Sequence, residues 1–302
     1  MHLTSPDGLT TSCHMVPEMA SSQEEADTEI ILHCLHVAAS QSSSDITIRS
    51  PDTDVLILLL HFCNKVESRI YFDTGMGNSC RILDIKILTE IYGSKMCNAL
   101  IALHAFSGCD MTSAFVRKGK IKPYNTLCKH QEFPAFNALG NTEVVSDETH
   151  AEIEWFVCCL YGKPNCSDVN KLQYDIARQK FQSGSSNVIS SYDVMDLSLL
   201  PPCRATLKMH VLRVNYQVLI WKSAPEQHPN IPDPDSHGWA LDESGTLEYD
   251  WCGDHFIPQE LVEILSQKGP IEEEDFDDTD IQSGSLVDII FETEVVSKEL
   301  PH

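Results

Sequence analysis

This chain has no Cys-x-x-Cys pair, no regular cysteine spacing, no long apolar run and little positive charge. Its twelve cysteines are scattered singly except for Cys158 and Cys159. That pattern excludes a disulfide framework and a zinc ribbon and points to reduced thiols in an intracellular protein, of nucleus or cytoplasm. The N-terminus has neither a basic start nor an apolar core, so no signal peptide is expected. The most apolar stretch, Val55 to Leu60, is far short of the roughly 20 residues that span a bilayer, and no membrane partner is expected. Twenty-one Lys and Arg stand against 45 Asp and Glu, a net charge of −24. Such a balance argues against a generic nucleic-acid coat unless the basic residues cluster. No internal repeat is evident.

What is present is a chain of 302 residues, 42% hydrophobic, long enough to bury a substantial core. Residues 1–22 are polar and read as a disordered leader. From Glu24 an amphipathic helix is expected, with acids in its first turn and Ile30, Ile31, Leu32, Leu35 and Val37 on its apolar face. "DITIRS" reads as a strand, "PDTD" as a turn, and "VLILLLHFC" as a buried element whose periodicity does not separate helix from strand. "RIYFDTG" reads as a strand ended by the turn "MGNS". "RILDIKILTEIYG" reads as a helix stopped by Gly93, and "KMCNALIALHAFSG" as the next helix. The alternation indicates an α/β layer architecture with a mostly parallel sheet.

Beyond Pro123 the pattern becomes mainly helical. "THAEIEWFVCCLYG", "CRATLKMHVLRVNYQVLIWKSA" and "IPQELVEILSQKG" read as helices, with a proline-rich extended stretch from Ala224. "IEEEDFDDTD", residues 271–280, is a like-charge block expected to be disordered. The expected organisation is a leader at 1–22, an α/β unit at 23–125, a helical region at 126–268 and a disordered acidic tail at 269–302.

Three acidic groups fall at element ends. Asp52 and Asp54 follow a strand, at the edge of a parallel sheet where ligands collect. Glu25 and Asp27 lie in the first turn of a helix, and Asp110 follows the Gly of "SGCD". Gathered carboxylates repel one another, and a hard divalent cation with oxygen ligands, Mg²⁺ or Mn²⁺, resolves the repulsion. Arg117, Lys118, Lys120 and Lys122 follow Asp110 with no acid between and could hold a nucleic-acid backbone. The plainer reading of Asp52 and Asp54 is an Asx-turn or helix cap. For Glu24 it is a first-turn acid, and for the basic stretch a solvated loop. His33, Cys34 and His36 invite a zinc reading, but half-buried helix residues explain them better. The four tryptophans read as packing rather than as a base-stacking platform.

"EEADTEI", "SPDTDV" and "SGCDMTSAF", in this order and at these separations, resemble the internal motifs of the FEN/XPG structure-specific nucleases within the PIN-like superfamily. The resemblance covers about residues 22–125. It implies a PIN-like three-layer fold and a metal set of Glu25, Asp27, Asp52, Asp54 and Asp110. Catalysis would fall to Asp52, Asp54 and Asp110. Two Mg²⁺ or Mn²⁺ ions would serve phosphodiester hydrolysis, with DNA placed ahead of RNA as partner. Arg117, Lys118, Lys120 and Lys122 would match the element that grips one strand. The family's opening strand and its aspartates have no counterpart before Glu24, so the first strands are expected to be missing. That would expose a sheet edge for a protein partner to supply or cover and impair the activity. The remainder resembles the C-terminal portion of animal proteins that share this PIN-like half and look derived from mobile elements. The alternative is an inactive PIN-like binding or scaffold protein.

Overall fold

The computed structural model describes residues 2–4, 8–40, 45–75, 80–130, 133–183 and 197–250. The expected helix in 257–269 and the acidic tail lie outside the described residues. The chain opens with a small antiparallel hairpin, β1 (His2–Thr4) with β2 (Ser12–His14), followed by a 3-10 turn at Pro17–Met19. The expectation of a structureless leader is corrected here: backbone pairing of Leu3 with Cys13 gives this polar segment a ladder that its side chains do not announce.

Helix α1 (Ala26–Ser40) leads to β3 (Ile46–Arg49), α2 (Thr53–Phe62), β4 (Ile70–Thr74) and β5 (Arg81–Asp84). The ambiguous apolar run resolves as helix α2. Asp52 is its N-cap, and Val55 to Leu60 are all buried, so the helix is enclosed on every side. No alternation survives in such an element, which is why periodicity was silent.

The sheet order is β3-β4-β5; β3 pairs parallel with β4, and β4 pairs antiparallel with β5. Two readings change accordingly. The sheet is small and mixed rather than mostly parallel, and "RILD" is a strand rather than the start of a helix. Pairing of Leu83 with Phe72 recruits it to the sheet, and Asp84 then accepts from the N–H groups of Lys86 and Ile87 as a cap. Helix α3 (Ile85–Phe106) follows and is broken at Gly93, where φ is 75° and ψ 157°. The stop expected at this glycine is present, in a conformation that side chains with a Cβ rarely adopt.

Helices α4 (Ile121–His130), α5 (Ala135–Ala138), α6 (Asp147–Leu160), α7 (Val169–Ser183) and α8 (Arg204–Lys222) follow among the described residues, and β6 (Trp239–Leu241) pairs with β7 (Leu247–Tyr249). The chain is therefore α/β, dominated by helix. Two compact units divide it: Met1–Cys97 with Ile220–Ile231, and Asn98–Leu219 with the described residues from Pro232.

The first unit packs α1 against α2 and β3. Its core is Ile31, Leu32, the α2 run, Ile70, Phe72, Leu83, Ile85 and Leu88. The second unit is built on aromatic edge-to-face contacts, with Phe136 and Phe156 ring centres 4.7 Å apart and Phe106 5.6 Å from Phe136. Buried Glu154 ties its helices together. It accepts from Arg204 Nη2 at 2.8 Å and from the Val169 N–H at the start of α7, also at 2.8 Å, so the buried charge is both paired and hydrogen-bonded. Among the described residues no helix is long and apolar enough to cross a membrane, and the eleven described cysteines are all free thiols.

Candidate metal centre

The C-terminal end of β3 delivers the chain to Ser50, whose hydroxyl accepts from the Asp52 N–H at 3.0 Å. That bond fixes the turn. Asp52 then adopts an extended conformation, and its Oδ1 accepts from the Asp54 N–H at 2.9 Å. Asp54 lies in the first turn of α2 and Asp27 in the first turn of α1, where the positive helix ends favour anions. Because α1 packs on α2, the two helix starts meet. The result is a trio: one carboxylate oxygen from each of Asp27, Asp52 and Asp54, all within 4.8 Å of one another.

Asp52 is exposed and the other two are half-buried. Like charges about 4 Å apart repel by roughly 1 kcal/mol in bulk water and about 4 kcal/mol at a protein surface of effective dielectric near 20. A fold can hold such a cluster, and a cation would recover that repulsion as affinity. The donors are all carboxylate oxygens, which suits a hard ion and not zinc or copper. Octahedral ligands at 2.0–2.1 Å lie roughly 3–4 Å apart, so small side-chain movements would close the trio on one ion.

Glu25 is not in the trio. Its Oε2 accepts from the indole N–H of Trp221 at 3.0 Å, and its backbone carbonyl accepts from the Thr28 hydroxyl at 2.8 Å. Asp110 belongs to the second unit and is exposed. It projects from a tight turn in which Cys109 and Thr112 exchange backbone hydrogen bonds, at 3.3 and 3.1 Å. Gly108 precedes that turn at φ 109°, and a Cβ there would come within 2.7 Å of the Ala114 Cβ.

The basic stretch is largely committed to the protein itself. Lys120 donates to the His104 carbonyl at 2.7 Å and to the Gly108 carbonyl, closing the C-terminal end of α3. Lys122 donates to the Arg117 carbonyl at 3.1 Å, and the Lys118 ammonium lies 3.8 Å from the centre of the Tyr161 ring. Arg117 is exposed and takes a left-handed backbone, φ 55°. The turn carrying these residues was legible; the use of their charges was not, because their partners are backbone carbonyls and a tyrosine some forty residues away.

His33 is exposed while Cys34 is buried, so the two face different ways. The aspartate trio is the group of three or more metal-capable residues found among the described residues.

No family model, curated protein or solved structure matches this chain.

The trio therefore stands on its own geometry. Trp221, only 2% exposed, sits in the first unit's core as expected of a packing residue, and its bond to Glu25 is the feature that sequence reasoning missed. The two residues are 196 positions apart, and no local signal joins them.

Proposed function

We propose that Asp27, Asp52 and Asp54 hold one divalent cation, Mg²⁺ or Mn²⁺. We further propose that the ion serves phosphodiester hydrolysis in a PIN-like domain related to the FEN/XPG nucleases. The supporting observation is the convergence of three carboxylates from the starts of two helices. When bound, such an ion supplies an activated water and charge neutralisation at a phosphoryl oxygen. The chain's own contribution is to hold the ligands on rigid helix starts, with the Ser50 and Asp54 bonds orienting Asp52. Asp110 and Glu25 complete the motif set only by resemblance.

The second reading, a cation-holding but non-catalytic binding or scaffold module, is favoured by one observation. Lys118, Lys120 and Lys122 are engaged within the chain, which weakens the grip on nucleic acid that the resemblance implies.

The experiment is cleavage of flap, duplex and single-stranded substrates with Mg²⁺ or Mn²⁺, comparing the parent chain with Asp52→Asn plus Asp54→Asn, alongside calorimetric titration of Mn²⁺. Cleavage by the parent alone supports the nuclease. Mn²⁺ binding without cleavage supports the second reading, and no difference in binding between the two proteins removes both.

A further inference from the structure

The second unit places two thiols together where α6 gives way to α7. Cys158 lies in the last turn of α6 and Cys166 in the loop that follows. The loop is folded back by its own backbone: the Lys163 N–H donates to the Cys158 carbonyl at 2.9 Å, and the Cys166 N–H to the Lys163 carbonyl at 3.0 Å. The two cysteine side chains hydrogen-bond to each other, and the Cys166 thiol also donates to the Asp168 carbonyl at 3.2 Å. Asp168 is itself anchored, its carboxylate accepting from the Lys171 N–H at 3.0 Å and pairing with Arg204 at 3.2 Å. The thiol pair is therefore held in a fixed turn.

The two sulfurs differ in access. Cys158 is fully buried, whereas Cys166 is half-buried and lines a cavity of about 340 Å³. Burial, with Cys166 beside it, keeps the Cys158 thiol protonated, its pKa pushed up to about 12. Cys166 is thus the thiol that a reagent from solvent meets first, because exchange needs an open path to the sulfur. Exposed Lys163 and Lys171 line the same cavity with one acid, Asp175. That excess of positive charge favours a reagent bearing carboxylates. Cys159 lies on another face of α6, with Lys129 as its charged neighbour, and takes no part.

We propose that Cys166 is a thiol-exchange site for small disulfides carrying carboxylates, with Cys158 as the resolving thiol. In the first step the Cys166 sulfur bonds to one sulfur of the reagent, the reagent's S–S bond breaks, and the departing thiolate takes up the Cys166 proton. In the second the Cys158 sulfur bonds to Cys166, the mixed disulfide breaks, and the second departing thiolate takes up the Cys158 proton. The reagent is reduced to two thiols, and the two protein thiols are oxidised to one bond by the same two electrons. The second step is intramolecular, which compensates for the scarcity of the Cys158 thiolate.

The test treats the reduced full chain with oxidised glutathione and maps its thiols by mass spectrometry, with exposed Cys13 and Cys80 as references. The parent should gain an internal Cys158–Cys166 bond at reagent concentrations at which the references carry only glutathione. Cys158→Ser should instead trap glutathione on Cys166, and Cys166→Ser should leave Cys158 reduced. Cystamine, a disulfide with cationic ends, gives the charge comparison. In Lys163→Glu plus Lys171→Glu, the rate of Cys166 modification by oxidised glutathione relative to cystamine should fall at least about fivefold, the factor for one unit-charge contact in water. The map of the parent decides by itself if Cys158→Ser does not fold. Cys166 remaining reduced while both references are modified, Cys158 modified in Cys166→Ser, or an unchanged rate ratio in the lysine variant would overturn the proposal.

Discussion

Trp221 donates its indole N–H to Glu25 at 3.0 Å, so an acid that sequence pattern groups with metal ligands is held by a buried ring instead. The pairing separates the roles of two carboxylates at the start of α1, Glu25 just before the helix and Asp27 in its first turn. Glu25→Gln keeps an acceptor for the indole and should leave Mn²⁺ affinity unchanged. Trp221→Phe removes the donor and should cost about 1.5–3 kcal/mol in urea unfolding, the range for a bond to a charged group. A large fall in Mn²⁺ affinity in Glu25→Gln would return Glu25 to the metal set.

Asp52 both caps α2 and lends an oxygen to the trio, and two substitutions separate these roles. Asn caps as well as Asp, so Asp52→Asn should keep stability within about 0.5 kcal/mol while weakening Mn²⁺ binding. Asp52→Ala should weaken binding equally and also cost about 1 kcal/mol. If both variants bind Mn²⁺ like the parent, Asp52 is a cap alone.

Lys120 is expected to act on folding first. Lys120→Met removes the ammonium from the His104 and Gly108 carbonyls and should destabilise the second unit by roughly 1–3 kcal/mol. Arg117→Gly, at φ 55°, should be neutral or stabilising by up to about 1 kcal/mol, since glycine adopts that conformation without strain. Thermal melts of the two variants provide the check; equal melting points would mean that the lysine contacts carry no weight.

Acid should unfold the protein partly through two histidines. Burial holds His61 to a pKa of about 4, with Lys222 and Lys65 adding to the effect, and burial does the same to His210, also about 4. The unfolded chain takes up these protons near pH 6.5, whereas the native protein refuses them until about pH 4. Stability is therefore full above pH 6.5, falls as pH drops from 6.5 toward 4, and levels for these groups below that. Each unit of pKa difference is worth about 1.4 kcal/mol. His61→Phe should flatten the decline between pH 6.5 and 4.5 in urea unfolding, and an unchanged slope would acquit that ring.

The sequence was most readable where a local rule acts over a few residues. Gly93 ends a helix by its own conformational freedom, and the acids at Asp27, Asp52 and Asp54 mark helix starts from their position alone. It was least readable where distant segments meet. "RILD" is a strand because Phe72 and its neighbours pair with it, and Glu25 does not advertise its partner. The three acids that assembled share one pair of packed helices. Glu25 fell out because a tryptophan 196 positions further along the chain claimed it.

The double duty of Asp52 also bears on how this chain would change under selection. A lineage that no longer needed a cation would still gain from a capped α2, so an aspartate surviving at position 52 would say little about activity. Asparagine serves the helix equally well, and its arrival there would keep the cap and the fold around it while removing an oxygen from the proposed cation site.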